Sequence, residues 1–353
     1  MSPYDAVADL PVVVEGSDRE RHERDTSSGF TRVTTELRLH GEGATGVGED
    51  VCYDAPDHDA LVDAPELAGP DAYDLGGAWT FGELSAALDE RDLFLGHEPE
   101  REAARDYRRW TVESAALDLA LRQAGESLGS VVGRSYDPVR FVASTRLADG
   151  EPDRVEALLA TYPDVELKLD PTSEWTDRAF DVLADSGAAR VLDLKGAYEG
   201  TSVDQDPDPE LYRRVFETFP DAVVEDPAVV PETRAVVETN ADRLSWDAPV
   251  HGVADLEGLP FEPRWCNVKP SRFGTVESLF DALTYCEERD VGLYGGGQFE
   301  LGPGREQLWA LASLFYPDGP NDVAPGGYND PEVRPGLPTS PLAPPEAPAG
   351  LGF

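Results

Sequence analysis

The chain has 353 residues, 70 of them acidic and 29 basic, for a net charge of −41, a length that suits one large barrel plus a smaller domain. Acidity spread through nearly every segment reads as a solvated shell, which excludes nucleic acid as a partner because no basic stripe neutralises phosphates, and its self-repulsion calls for salt, as in a halophilic cytoplasm. The absence of an apolar run of about 18 residues, or of a basic stretch leading into an apolar one at the first residues, predicts a soluble cytoplasmic protein with no membrane partner. Cys52, Cys266 and Cys286 lack metal-ligand spacing and suit a reducing compartment, while the five histidines form neither HxxH nor HExxH, which argues against zinc.

In chain order, residues 10–16 (LPVVVEG), 30–40 (FTRVTTELRLH) and 44–53 (ATGVGEDVCY) have the β-branched content of strands, and the second alternates apolar with polar. The polar stretch 17–29 between the first two reads as a long loop, and GEGATGVG as a glycine-rich hairpin rather than a nucleotide loop, since no lysine follows in P-loop order. FGELSAALDERD is helical. Val112, Ala115, Ala116, Leu119 and Ala120 then fall at helical spacing, predicting an amphipathic helix over 111–124 that stops near Gly125.

Beyond Asp137 the pattern alternates strand with helix. Strands are predicted at 139–145, 165–169, 190–194, 222–225, 243–247, 265–269 and 291–296, with a weak eighth near 321–325. Eight βα repeats close a parallel barrel. The expected fold is therefore α/β, a (β/α)8 TIM-type barrel over 136–325 with an N-terminal α+β capping domain over 1–135; the Pro- and Gly-rich tail 326–353 is expected to be irregular and to pack back on the first domain.

Six charges stand at or near the ends of these apolar runs, where a barrel gathers its active site: Lys168, Asp193, Glu225, Asp247, Lys269 and Glu300. Three carboxylates there can converge on one hard cation with a lysine on either side. The bland reading of any one such charge is a solvated or salt-bridged strand end. Asp170 and Asp226 read as turn caps before Pro171 and Pro227, Trp246 and Trp265 as core or pocket wall, Arg272 and Arg305 as partners of the acidic surface, and His251 as a surface residue.

In order, RVTTELRLHGEGATGVGEDVCY, AALDLALRQAG and QFELGPGREQLWALASLF, with the strand-end charges between them, resemble the enolase superfamily in its mandelate racemase and muconate-lactonizing branch. The resemblance covers nearly the whole chain. It implies Mg2+ on Asp193, Glu225 and Asp247, whose separations (225 minus 193 is 32; 247 minus 225 is 22) suit one βα unit each. It also implies catalytic lysines at Lys168 and Lys269, a substrate-binding glutamate at Glu300, a mobile capping loop at 17–29, a small carboxylate substrate and a homo-oligomer.

Two departures stand out. The second strand carries Lys168-Leu169-Asp170 where Lys-x-Lys is usual, and Lys195 follows Asp193 at the position where asparagine is common. Lys195 is the candidate for the missing positive charge; if Lys168 takes the first lysine's place, Asp170 stands where the base belongs. The chemistry expected is removal of the proton next to a carboxylate with the resulting enediolate stabilised by metal, as in a racemase, epimerase, cycloisomerase or dehydratase. A glycoside hydrolase using two of the carboxylates without metal, or an idle binding relative, are the alternatives.

Overall fold

The computed structural model describes residues 2–63, 72–198 and 203–353. The N-terminal part holds strands β1 (Pro11–Val14), β2 (Gly16–Asp25), β3 (Thr31–Gly41), β4 (Ala44–Asp50) and β5 (Gly77–Thr80). β2, β3 and β4 form an antiparallel sheet, and β1 pairs with β5.

The stretch 17–29 differs from the expected loop, because most of it is β2, paired with β3 from Gly16↔His40 to Asp25↔Thr31. Its sequence, GSDRERHERD, has no apolar alternation to give it away. Beside the backbone ladder, charge laces the two strands: across the pair Arg38 reaches Asp18 (3.1 Å) and Glu20 (2.6 Å) and His22 lies 3.2 Å from Glu36, while Arg38 also meets Glu36 (2.7 Å) on its own strand. The turn is confined to the tip, where Thr26 N–H donates to Phe30 O (3.0 Å) and Gly29 takes φ 80°. Between β3 and β4, Glu42 (φ 48°) and Gly43 (φ 77°) make the predicted hairpin turn with the backbone that a two-residue connection needs. The next glycines serve packing. A Cβ on Gly46 would lie 2.2 Å from Ala115 O, and one on Gly48 2.1 Å from Thr111 O, so β4 rests its backbone directly on the helix Ala104–Ala124.

That helix begins seven residues earlier than its apolar stripe predicts (111 minus 104). Its first turns are Arg-rich, yet Arg108 is buried there, ion-paired to Asp50 and donating to Leu93 O and Asp57 O. Gly125 ends the helix in the left-handed region (φ 70°).

The second part alternates β6 (Ala143–Thr145), β7 (Leu167–Leu169), β8 (Ala189–Asp193), β9 (Val223–Glu225), β10 (Leu244–Trp246), β11 (Trp265–Val268) and β12 (Gly292–Gly295) with helices. All seven strands are parallel and neighbours in sequence are neighbours in the sheet. The eighth position is reduced to single-residue bridges, Phe141↔Asn321 on one side and Gly296↔Asp322 on the other. Asn321 completes that closure with its side chain: Oδ1 accepts Gly295 N–H (2.6 Å), and Nδ2 donates to Arg140 O (2.8 Å) and Tyr316 O (3.1 Å). The fold is thus a TIM-type barrel with an antiparallel capping sheet. Val191, Val223 and Tyr294 fill its interior as a small cluster separate from the main core between strands and helices. Side-chain caps start several of the outer helices, as Thr176, Asp208 and Thr275 do for those beginning at Asp177, Pro209 and Val276.

The tail bridges Leu342 to Val139 and then Gly350 to Ser127, and Leu351 N–H donates to Asp118 on the helix Ala104–Ala124 (2.8 Å). No helix among the described residues is long and apolar enough to cross a membrane.

Candidate metal centre and active site

Asp193 and Glu225 end β8 and β9 and are in register with one another; Asp247 follows β10. All three are fully buried, and one oxygen of each lies within 4.8 Å of the others. Two local devices hold them there. Asp226, with φ 46°, turns its carboxylate across to accept Asp247 N–H (2.9 Å) and Ala248 N–H (2.8 Å), so it ties the ends of β9 and β10 together rather than capping its own turn. Gly196 lets the chain after β8 close on the chain after β9, since a Cβ there would lie 2.2 Å from Ala228 N.

The chain contains three lysines, Lys168, Lys195 and Lys269; the other 26 of its 29 basic residues are arginines. All three lysines reach this carboxylate group. Lys168 Nζ lies 2.5 Å from Glu225 Oε1 and 3.6 Å from Asp193 Oδ2. Lys195 Nζ contacts Asp193 Oδ2 and sits 3.7 Å from Asp170. Lys269 Nζ lies 2.8 Å from Asp247 Oδ2. β7 and β11 are four places apart in the ring, so Lys168 and Lys269 approach from opposite walls.

The register separates the first two lysines. Lys168 pairs with Val191, two residues short of Asp193, so its side chain rises from the layer beneath the carboxylates. Leu169 pairs with Leu192, which makes Asp170 the β7-end residue level with Asp193. Lys195, with φ 56°, brings its amine into the space between Asp193 and Asp170. The level that lacks a lysine on the second strand has one supplied from the third.

The remaining contacts are polar and buried. Glu225 Oε2 accepts from Asn267 Nδ2 (3.1 Å) and from the Tyr294 hydroxyl, whose oxygen in turn accepts from Ser245 Oγ–H (2.9 Å). Tyr198 OH donates to Asp247 Oδ2 (2.8 Å). Arg272 leaves the surface role expected of it: it is buried, donating to Asp247 O (3.3 Å) and Tyr198 OH (3.1 Å). Arg305 is buried too, 3.5 Å from Glu300 Oε2. His251 is half-buried against Arg272 O (3.1 Å).

Glu300 stands apart from this group. Its Oε1 accepts Gln298 N–H (2.7 Å), and it lines a cavity of about 10 Å³ beside Glu49, whose carboxylate accepts the N–H groups of Leu301, Gly302 and Gly304. Over the same segment Phe30 meets Phe299 edge to face (5.4 Å), and Tyr53 OH donates to Gln298 Oε1 (2.8 Å), so the β2–β3 turn and the chain after β4 both reach the barrel.

The donor set fits a divalent cation. Burial alone would raise Asp193, but Lys195 and Lys168 hold it down at about 2, and Arg272 and Lys269 likewise outweigh burial at Asp247 and keep it well below the usual range. Burial pushes Glu225 well up against the pull of Lys168, with Asp193, Asp247 and Asp226 adding to the rise. Burial, Asp247 and Asp193 lift Asp226 to about 7. The three buried carboxylates lie together, and Asp247 Oδ1 is buried with no hydrogen-bond partner. All candidate ligand atoms are hard oxygens, as Mg2+ prefers.

Asn267, Tyr294 and Asp322 escaped the sequence reading, which gives Asp226 only the role of a turn cap. Asn267 carried a signal, since it lies two before Lys269 and so shares its face of the strand. Asp322, 3.8 Å from Lys168, was hidden in the weakest predicted strand.

A capping sheet over a TIM-type barrel, with buried carboxylates on successive strand ends, is a fold shared with solved muconate lactonizing enzymes and enolase superfamily members. Its solved neighbours carry that fold. Muconate lactonizing enzyme from Pseudomonas putida is 20% identical, with a TM-score of 0.66 and 96% of each chain covered. A dipeptide epimerase from Methylococcus capsulatus complexed with Mg ion is 18% identical, with a TM-score of 0.69, covering 96% of this chain and 99% of that one. An enolase superfamily member from Listeria innocua is 17% identical, with a TM-score of 0.62, covering 89% and 86%. No curated protein matches the sequence. The chain belongs to the family described as Domain of unknown function (DUF8230), whose C-terminal domain matches residues 135–330 and whose N-terminal domain matches residues 5–131.

Proposed function

We propose that this protein is a Mg2+-dependent enzyme that removes the proton next to the carboxylate of a small acid, as a racemase, epimerase, cycloisomerase or dehydratase. The observation that carries this reading is the placement of the lysines: every lysine of a chain otherwise furnished with arginine lies on one buried carboxylate group. Arginine is never a practical base near neutral pH, whereas lysine can exchange a proton. A surface ion-pair role would not discriminate between the two.

Asp193, Glu225 and Asp247 would hold the cation. When bound, it supplies positive charge to the substrate carboxylate and so acidifies the adjacent carbon. Lys269 approaches that carbon from the β11 wall and Lys195 from the β8 end, standing in for a second lysine on β7. Lys168, from the layer below, keeps the floor of the site positive. Arg272 and Tyr198 fix Asp247 on its far side, so removing either would loosen a ligand without removing a reacting group. Glu300 holds Gln298 and Arg305, and Glu49 the segment 301–304, with Phe30 and Tyr53 above them shaping which acids enter.

The test is exchange. The protein is incubated in D2O at high salt with Mg2+ and a panel of carboxylic acids, and deuterium at the α-carbon is followed by NMR. Exchange that stops on chelation and in Lys269→Met is the expected result. Turnover of a glycoside that survives chelation would replace this reading with a hydrolase.

A further inference from the structure

Lys168 and a divalent cation cannot share Glu225 as it stands. Glu225 Oε2 is taken by Tyr294 and Asn267, which leaves Oε1 for a cation, and Lys168 Nζ already sits 2.5 Å from that oxygen. Mg2+ binds oxygen at about 2.0–2.1 Å, too close for an ammonium on the same atom. Lys168 must therefore withdraw; its other neighbour, Asp193 Oδ2 at 3.6 Å, belongs to the same triplet, and a buried amine left with only a metal-bound carboxylate would be costly.

One further acid is within its reach. Asp322 Oδ2 lies 3.8 Å from Lys168 Nζ, in the eighth position of the ring, next to β6 and so two places from β7. Asp322 is outside the carboxylate triplet. Its backbone is fixed by the bond from its N–H to Gly295 O (2.7 Å) and by the neighbouring Asn321 clasp, so it does not have to be ordered on arrival of the amine.

Building on the metal-dependent reading above, we propose that Asp322 is a positioning residue: it receives Lys168 when a divalent cation takes Glu225, and thereby sets the affinity of the site for metal. The amine then swings between two carboxylates, Glu225 without the cation and Asp322 with it. The reduced eighth strand is kept for the acid at its end.

The experiment measures Mn2+ binding by electron paramagnetic resonance of the free ion, with no substrate, on the full chain and on Asp322→Asn, Lys168→Met and the double variant. Asp322→Asn is expected to weaken binding about tenfold or more, Lys168→Met to bind at least as tightly as the native chain, and the Asp322→Asn change to have little effect once Lys168 is gone. Native affinity in Asp322→Asn overturns the proposal, as does an equal loss with and without Lys168. Because Asp322→Asn can damage the barrel closure, a second measurement uses the native chain. With three lysines in the protein, [ε-13C]lysine labelling gives three assignable signals, and the Lys168 signal must move on adding Mg2+; a Lys168 signal that stays put while the cation binds overturns the proposal. A native chain that binds no Mn2+ at all instead sinks the metal reading on which this one rests.

Discussion

The β2–β3 hairpin and the barrel mouth are built from the same materials, rows of acids and bases at strand positions, and they behave as opposites. In the hairpin, Arg38 sits among Asp18, Glu20 and Glu36 with water on its outer side, and such pairs add little net stability. In the mouth, Asp193, Glu225 and Asp247 are sealed from water. There each missing partner leaves a desolvated charge, so the group is committed to cations. Solvation, rather than the residues chosen, separates a surface brace from a reactive centre.

The largest test of this contrast is Asp247→Asn. It removes a ligand whose second oxygen has no protein partner, and Mn2+ affinity should fall more than about 100-fold; an unchanged affinity by titration calorimetry would mean that the mouth's charges are only structural. Next comes a buried pair away from the mouth. Arg108 and Asp50 are both buried, and Asp50→Asn should destabilise the chain by about 3 kcal/mol or more in denaturant unfolding.

The same pair gives a pH signature. Burial would raise Asp50, but Arg108 and His58 pull it from its ordinary 3.8 to about 2. A depressed carboxyl contributes its stability above the unfolded value, and that contribution disappears as pH falls from about 4 toward 2. Asp50→Asn should therefore narrow the stability difference from the native chain across that window, and an undiminished gap at pH 2 would refute the assignment. The smallest effect belongs to the hairpin: Arg38→Ala should cost less than about 1 kcal/mol and fade further at 1 M salt. Salt should at the same time stabilise the whole chain, whose net charge is −41.

Legibility in the sequence followed the same line. The barrel was readable because buried parallel strands are apolar runs, and each of the seven named strands falls within or within one residue of its predicted segment. β2 was unreadable because its backbone ladder is made by a wholly polar, charged segment, which leaves no hydrophobic period. The start of the helix Ala104–Ala124 was lost for a related reason, since Arg108 is a core residue in disguise. At the site, residues that end apolar runs were visible one by one. What single-residue reading missed was height: only the register shows Lys168 below the triplet, Asp170 level with it and Lys195 filling the gap. Asp226 looked like a turn cap because the backbone amides it binds are 21 and 22 residues away.

Where the ring of strands closes at its eighth position, backbone bonds on either side are joined by one carboxamide, that of Asn321, which accepts from one neighbour and donates to the other. A fastening of that kind can age. Hydrolysis of the amide to a carboxylate removes both donors and sets a negative charge against carbonyl oxygens, so slow deamidation would spring the hoop from within while leaving every strand intact. Asn321→Asp mimics that wear, and its melting temperature against the native chain measures how far the enclosure's shelf life hangs on a single nitrogen.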